Sequence, residues 1–218
     1  MNAGAKRGEF AAGEHLKPMQ ENGPSLREFI TQIGEDYRMH QRDWTLPGFR
    51  ALVVHRFGVW VGGVRSRLLR GILSRLYRFL YVYIRNHYCI ELPRTTKVGR
   101  RLTIGHQGGI VIHNSSHIGD DCIIRQNVTL GAASVETVQH GPTLMNRVEV
   151  GCGAVIMGDI VIGDDVRIGP NAVVTMNIPA GSTVVAPPPR IVQLSKRSLP
   201  SGNSALATSS NESRATIE

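Results

Sequence analysis

Few residues in this 218-residue chain are of types that do chemistry unaided: three cysteines, eight histidines and a block of arginines. Cys89, Cys122 and Cys152 are odd in number, widely spaced and without a CxxC pair. That pattern suggests neither a disulfide framework nor a thiolate zinc site, and a reducing compartment is the simpler expectation. His106, His113 and His117 lie close enough in sequence to raise a zinc site, but no carboxylate that would orient such ligands is apparent, so no metal is expected.

The arginines carry the charge. The chain has 25 basic and 17 acidic side chains, a net charge of +8. Residues 46–90 alone hold Arg50, Arg56, Arg65, Arg67, Arg70, Arg75, Arg78 and Arg85 with no Asp or Glu, so the remaining chain is neutral. On a helical wheel Leu69, Ile72, Leu73, Leu76, Phe79, Leu80, Tyr83 and Ile84 share one face, with arginines opposite. The ordinary reading is a solvated arginine face over a core-facing apolar stripe. Peripheral contact with an anionic membrane surface or an acidic partner is the second reading. Nucleic acid is not expected, because no interleaved aromatic platform or reading helix accompanies the charge.

These groups must be held by a folded scaffold. Hydrophobic residues at 41% and charged residues at 19% exclude a wholly disordered chain, while 24 glycines and only 6% aromatics favour an aliphatic β architecture with tight corners. Residues 1–24 show no apolar signal region, and no run is long and apolar enough to span a bilayer, so a cytoplasmic location is expected. Residues 1–24 and 195–218 read as poorly ordered tails. Ser25 and Glu28 have capping-box spacing for a helix to about Gln41. Pro47-Gly48 breaks the chain, and two further helices divide near Gly62-Gly63, so residues 25–92 form a helical segment ending at about Pro93.

Beyond Pro93 the period becomes six. Branched aliphatics recur at Val98, Ile104, Ile112, Ile118, Ile124, Leu130, Val150, Ile156, Ile162, Ile168 and Val174, with longer steps only from 104 to 112 and from 130 to 150. Glycine often follows, and a small or apolar residue such as Cys122, Val128, Ala154 or Ala172 comes four residues after the aliphatic. Hairpins need not hold such a phase, so the pattern predicts a solenoid over residues 93–194 with an extruded loop at about 131–147. The same phase accounts for both glycines of Gly151-Cys-Gly153, which is therefore no dinucleotide fingerprint.

The repeats resemble the hexapeptide-repeat acyltransferases, and within them the serine acetyltransferases. The likeness is carried by Gly48-Phe-Arg-Ala-Leu52, Arg56-Phe-Gly-Val-Trp60, Gly105-His-Gln-Gly-Gly-Ile-Val-Ile112, Gln126-Asn-Val-Thr-Leu-Gly131, His140, Pro188 and Arg190-Ile-Val192. The resemblance implies a left-handed parallel β-helix preceded by a small α-helical segment, and direct transfer of an acetyl group from acetyl-CoA to a hydroxyl. It places the catalytic base on His106, an imidazole whose ordinary pKa of about 6.5 suits it to take a proton from an attacking alcohol. Glu91, fifteen residues upstream, falls where the family's partner carboxylate lies, and His140 falls at its second active-site histidine. Asp43 is the expected substrate carboxylate. Gly131, Cys152, Arg167, Pro170 and Arg190 correspond to the CoA groove, and the implied assembly is a homotrimer or a dimer of trimers with the site between subunits.

Two substrate positions depart from the family. Gly105 stands for its Asp before the catalytic histidine, and Gln139 for its Arg before the second one. Serine carries both an ammonium and a carboxylate, which charged groups normally balance. Serine O-acetylation for cysteine biosynthesis is the first expectation, and acetylation of a sugar hydroxyl in exopolysaccharide or capsule biosynthesis the alternative. A noncatalytic scaffold that uses its arginine helix as an anchor is a third reading.

Overall fold

In the computed structural model of the chain, residues 23–191 are described apart from positions 135 and 138. The tails expected over 1–24 and 195–218 thus lie outside the described residues, save Gly23 and Pro24.

Helix α1 (Leu26–Met39) starts where the Ser25 hydroxyl accepts the Glu28 N–H at 3.2 Å. Helix α2 (Pro47–Gly62) takes Pro47 at its first turn, where a missing N–H costs nothing, so this proline begins a helix as well as breaking the chain. Helix α3 (Arg67–Tyr88) begins after Ser66 and stops at Cys89, whose φ of 53° is left-handed. It therefore ends earlier than Pro93, because the next two residues enter a sheet. The Tyr77 ring lies where a Cβ on Gly58 would stand, so α2 and α3 approach closely only because position 58 has no side chain. The apolar face of α3 is wider than this contact. Tyr77 and Ile84 are buried, whereas Leu69, Ile72, Leu76, Phe79 and Tyr83 are exposed.

The strands wind as a parallel β-helix, three short strands to a coil. The first coil is β1 (Ile90–Glu91), β2 (Lys97–Val98) and β3 (Thr103–Ile104), and the second is β4 (Ile110–Ile112), β5 (His117–Ile118) and β6 (Ile123–Ile124). The third is β7 (Thr129–Gly131), β8 (Thr143–Leu144) and β9 (Glu149–Val150), and the fourth β10 (Val155–Met157), β11 (Val161–Ile162) and β12 (Arg167–Ile168). Then follow β13 (Val173–Val174) and β14 (Thr183–Val184). Stacking gives three parallel sheets: β1-β4-β7-β10-β13, β2-β5-β8-β11 and β3-β6-β9-β12-β14. Every aliphatic of the six-residue phase is buried inside except Val98 of the first coil, which is half-buried. The phase resumes at buried Leu144, one step before Val150, so the extrusion between β7 and β8 covers 132–142, shorter than expected.

The corners repeat as regularly as the strands. Between the second and third sheets Arg101, Asp121, Arg147 and Asp165 all have left-handed φ, near 56–59°. Arg101 pairs with Asp121 and Arg147 with Asp165, holding both carboxyls below their usual range. The helices are fastened to the first coil by buried Arg56, which pairs with Asp36 of α1 at 3.0 Å and donates to the carbonyls of Val98 and Gly99.

Candidate active site

His106 sits at the corner between the third and first sheets, where the eight-residue step from Ile104 to Ile112 inserts two extra residues. The loop is held from both sides. Gly105 N–H donates to Ile124 O at 2.8 Å, Gly108 N–H to Tyr88 O at 3.1 Å and Ile110 N–H to Cys89 O at 3.0 Å, while Gly108 O accepts from Asn127 N–H at 2.8 Å. Three loop residues have left-handed φ: His106 at 67°, Gly108 at 107° and Gly109 at 63°. A Cβ on Gly109 would collide with the Asn127 side chain, which explains glycine there. The His106 ring is exposed and, among the described residues, makes no side-chain hydrogen bond or ion pair.

The strand leading into His106 is fixed by α1. Buried His40 accepts the Ile104 N–H on Nε2 at 3.2 Å, so its Nδ1 carries the proton donated to Asp36 O at 2.7 Å. Gly48 at the start of α2 lies against Ile104, where a Cβ would strike the Ile104 carbonyl. Asp43, in the loop between α1 and α2, donates its N–H to His40 O at 3.0 Å. It accepts from Thr45 N–H at 2.8 Å and Thr45 Oγ1 at 2.6 Å, and those bonds lower its pKa.

The other expected site residues divide into groups. Cys152 and Pro170 lie on later turns of the same edge as His106, where Asn171 N–H donates to Cys152 O at 2.9 Å. Arg167 is exposed on β12 in the adjoining sheet. Gly131 ends β7, where a Cβ would meet the Met157 sulfur at 2.7 Å. Gln139 and His140 lie in the 132–142 extrusion, between the first and second sheets and thus at a different corner from His106. His140 is exposed and faces Asp159 across 3.5 Å. Arg190 is exposed in a separate unit that begins at Pro188.

Glu91 is on β1, and no ion pair or hydrogen bond joins it to His106 among the described residues. Its carboxylate lies beside Tyr81, whose phenol is pushed up to about 12 by burial and by that neighbouring charge. Tyr81, Glu91, Val111, His113, Gly131 and Met157 line part of an open cavity of about 410 Å³ along the first sheet. Sequence reasoning missed Tyr81, His40 and Met157. Among the described residues no cluster of three His, Cys, Asp or Glu converges as a metal would require.

The pattern described as "Bacterial transferase hexapeptide (six repeats)" matches residues 141–175. A serine acetyltransferase of Helicobacter pylori J99 is 42% identical over 139 residues, which are 64% of this chain and 77% of that protein. The chain belongs to the serine acetyltransferase family. A serine acetyltransferase of Synechococcus elongatus is 38% identical over 146 residues, 67% of this chain but only 57% of that protein. Serine acetyltransferase isoform 3 of Entamoeba histolytica, solved in complex with cysteine, aligns with a TM-score of 0.61 at 25% identity, covering 77% of this chain and 62% of that one. The chain thus spans little more than half of its Synechococcus relative. The serine acetyltransferase fold, a left-handed parallel β-helix after an N-terminal helical region, is the fold found here.

Proposed function

We propose that this chain is an acetyl-CoA-dependent O-acetyltransferase whose first acceptor is L-serine, giving O-acetyl-L-serine for cysteine biosynthesis. The observation that carries the proposal is the 42% identity to a serine acetyltransferase, joined to an exposed histidine on a hydrogen-bonded loop at the edge of the β-helix. In this reading His106 takes the proton of the acceptor hydroxyl as the oxygen attacks the thioester carbonyl. Collapse of the tetrahedral intermediate breaks the C–S bond, and the imidazolium returns the proton to the departing CoA sulfur. Glu91 orients the imidazole, and His140 and Gln139 meet the acceptor from a neighbouring subunit, consistent with their position at a different corner of the chain. Asp43 supplies the carboxylate for the serine ammonium. The edge bearing Cys152 and Pro170, with Gly131 and Arg167, receives acetyl-CoA.

A second reading rests on Gly105 and Gln139. Neither carries charge, so an acceptor without an ammonium or carboxylate, such as a sugar hydroxyl in exopolysaccharide or capsule biosynthesis, also fits this chemistry. The test is CoA release from acetyl-CoA by the purified protein with L-serine and, separately, with nucleotide sugars and oligosaccharides. Release with serine alone supports the first reading, and release with sugars alone replaces it with the second. His106→Ala is expected to lower turnover at least ~100-fold, the usual worth of a general base. Near-normal turnover by that variant removes His106 from the role.

A further inference from the structure

Helix α3 carries more apolar surface than the fold uses. Leu69, Ile72, Leu76, Phe79 and Tyr83 recur every three or four residues and form one stripe, about 21 Å long at 1.5 Å per residue. The stripe faces solvent: Ile72 is 55% and Phe79 70% exposed. The side turned to the fold is a different one: Tyr77 lies against Gly58 of α2, Ile84 is buried in the core and Leu80 packs against that core. Beside the stripe Arg67, Arg70, Arg75, Arg78 and Arg85 are all exposed, and among the described residues none of them pairs with a carboxylate.

We infer that this face of α3 docks the protein on an anionic lipid surface, with the stripe at the headgroup boundary and the arginines on lipid phosphates. A helix with one apolar side and one uniformly cationic side has the composition of an interfacial helix. It lies on the surface and does not cross it, since no described helix is long and apolar enough to span a membrane. Charge argues against a second copy as the occupant. Two α3 faces brought together would oppose arginine to arginine, and α3 itself has no Asp or Glu to answer them. The inference is independent of the acetyl-transfer reading.

The experiment is sedimentation of the full-length chain with vesicles of phosphatidylcholine alone or with about a third phosphatidylglycerol, at low and high salt. Binding is expected to the anionic vesicles only and to weaken with salt. It is expected to fall at least tenfold in both the Leu76→Ser, Phe79→Ser double variant and the Arg75→Glu, Arg78→Glu double variant, each with an unchanged thermal midpoint. Absence of binding to anionic vesicles, or binding that survives both double variants, overturns the inference. If the serine variant instead reduces particle mass by light scattering while vesicles are ignored, the face belongs to a second copy. Retention on immobilised polyglutamate with no vesicle binding assigns it to an acidic protein.

Discussion

At the residue scale, Gly105 and Glu91 decide what His106 can do. Position 105 has ordinary backbone geometry, and a Cβ there meets only Arg125 Cγ and Ile124 O, each at 3.8 Å. A carboxylate therefore fits without strain beside the proposed base. Gly105→Asp is expected to leave the melting temperature unchanged and to lower the KM for L-serine about tenfold, since a charge-assisted hydrogen bond is worth roughly 1.5–3 kcal/mol. Steady-state kinetics check it, and an unchanged KM points to an acceptor without an ammonium. Glu91 lies beside Tyr81, a phenol that burial keeps protonated. If Glu91 orients the imidazole in the reacting complex, Glu91→Gln lowers kcat at least ~10-fold with little change in KM, because a neutral amide stabilises an imidazolium poorly. A variant with normal kcat leaves Glu91 as a partner of Tyr81 alone.

At the element scale, the helices act on the site through the strand they hold. His40 spans from α1 to the Ile104 N–H, two residues before His106. His40→Ala leaves that buried N–H without its partner, so a loss of roughly 1–3 kcal/mol is expected in urea unfolding, with a fall in kcat that His40→Gln partly restores. His55 of α2 is a second, pH-dependent contribution. It is wholly buried, it bonds Pro93 O at 3.1 Å, and burial together with neighbouring Arg56 lowers its pKa from 6.5 to about 3. Between those values the unfolded chain takes up a proton that the folded chain refuses, so stability present above pH 6.5 is lost as pH falls. From pH 7 to 5 this group alone is expected to remove roughly 2 kcal/mol, at 1.36 kcal/mol per unit, and His55→Gln to flatten that slope. The coils were legible in the sequence because each touches only its neighbours, so every six residues repeat one demand: an aliphatic inward and a small residue near the corner. The longer step from 104 to 112 was visible too, but not that it takes His106 out of a strand and into a corner. Leu144 was not legible, since the extrusion before it hides the phase. The end of α3 was misplaced because a two-residue strand and a left-handed Cys89 have no period. His40 and Tyr81 escaped for a related reason: His40 meets a residue 64 positions away, and Tyr81 joins Glu91 only through the packing of α3 on the first coil.

At the scale of the whole molecule, topology separates the two histidines of the proposed reaction. His106 follows β3, at the corner from the third sheet to the first, whereas His140 follows β7, at the corner from the first sheet to the second. A single chain thus presents them on opposite borders of one sheet. A closed ring of identical chains sets one border of each chain against the other border of its neighbour, which is the heterologous contact of a cyclic trimer. Light scattering of the purified chain is therefore expected to give three times its 23.9 kDa mass, or a multiple of that trimer. Subunit mixing tests the shared site directly. His106→Ala and His140→Ala chains are each expected to be impaired alone. When they are co-expressed, a site pairing His106 of one chain with His140 of the next is intact in about a quarter of positions under random assortment around the ring. Activity should then rise to about that fraction of wild type, measured as CoA release per subunit. If both histidines served one site within a single chain, no mixture would contain an intact site, and co-expression would show no more activity than the two variants made separately.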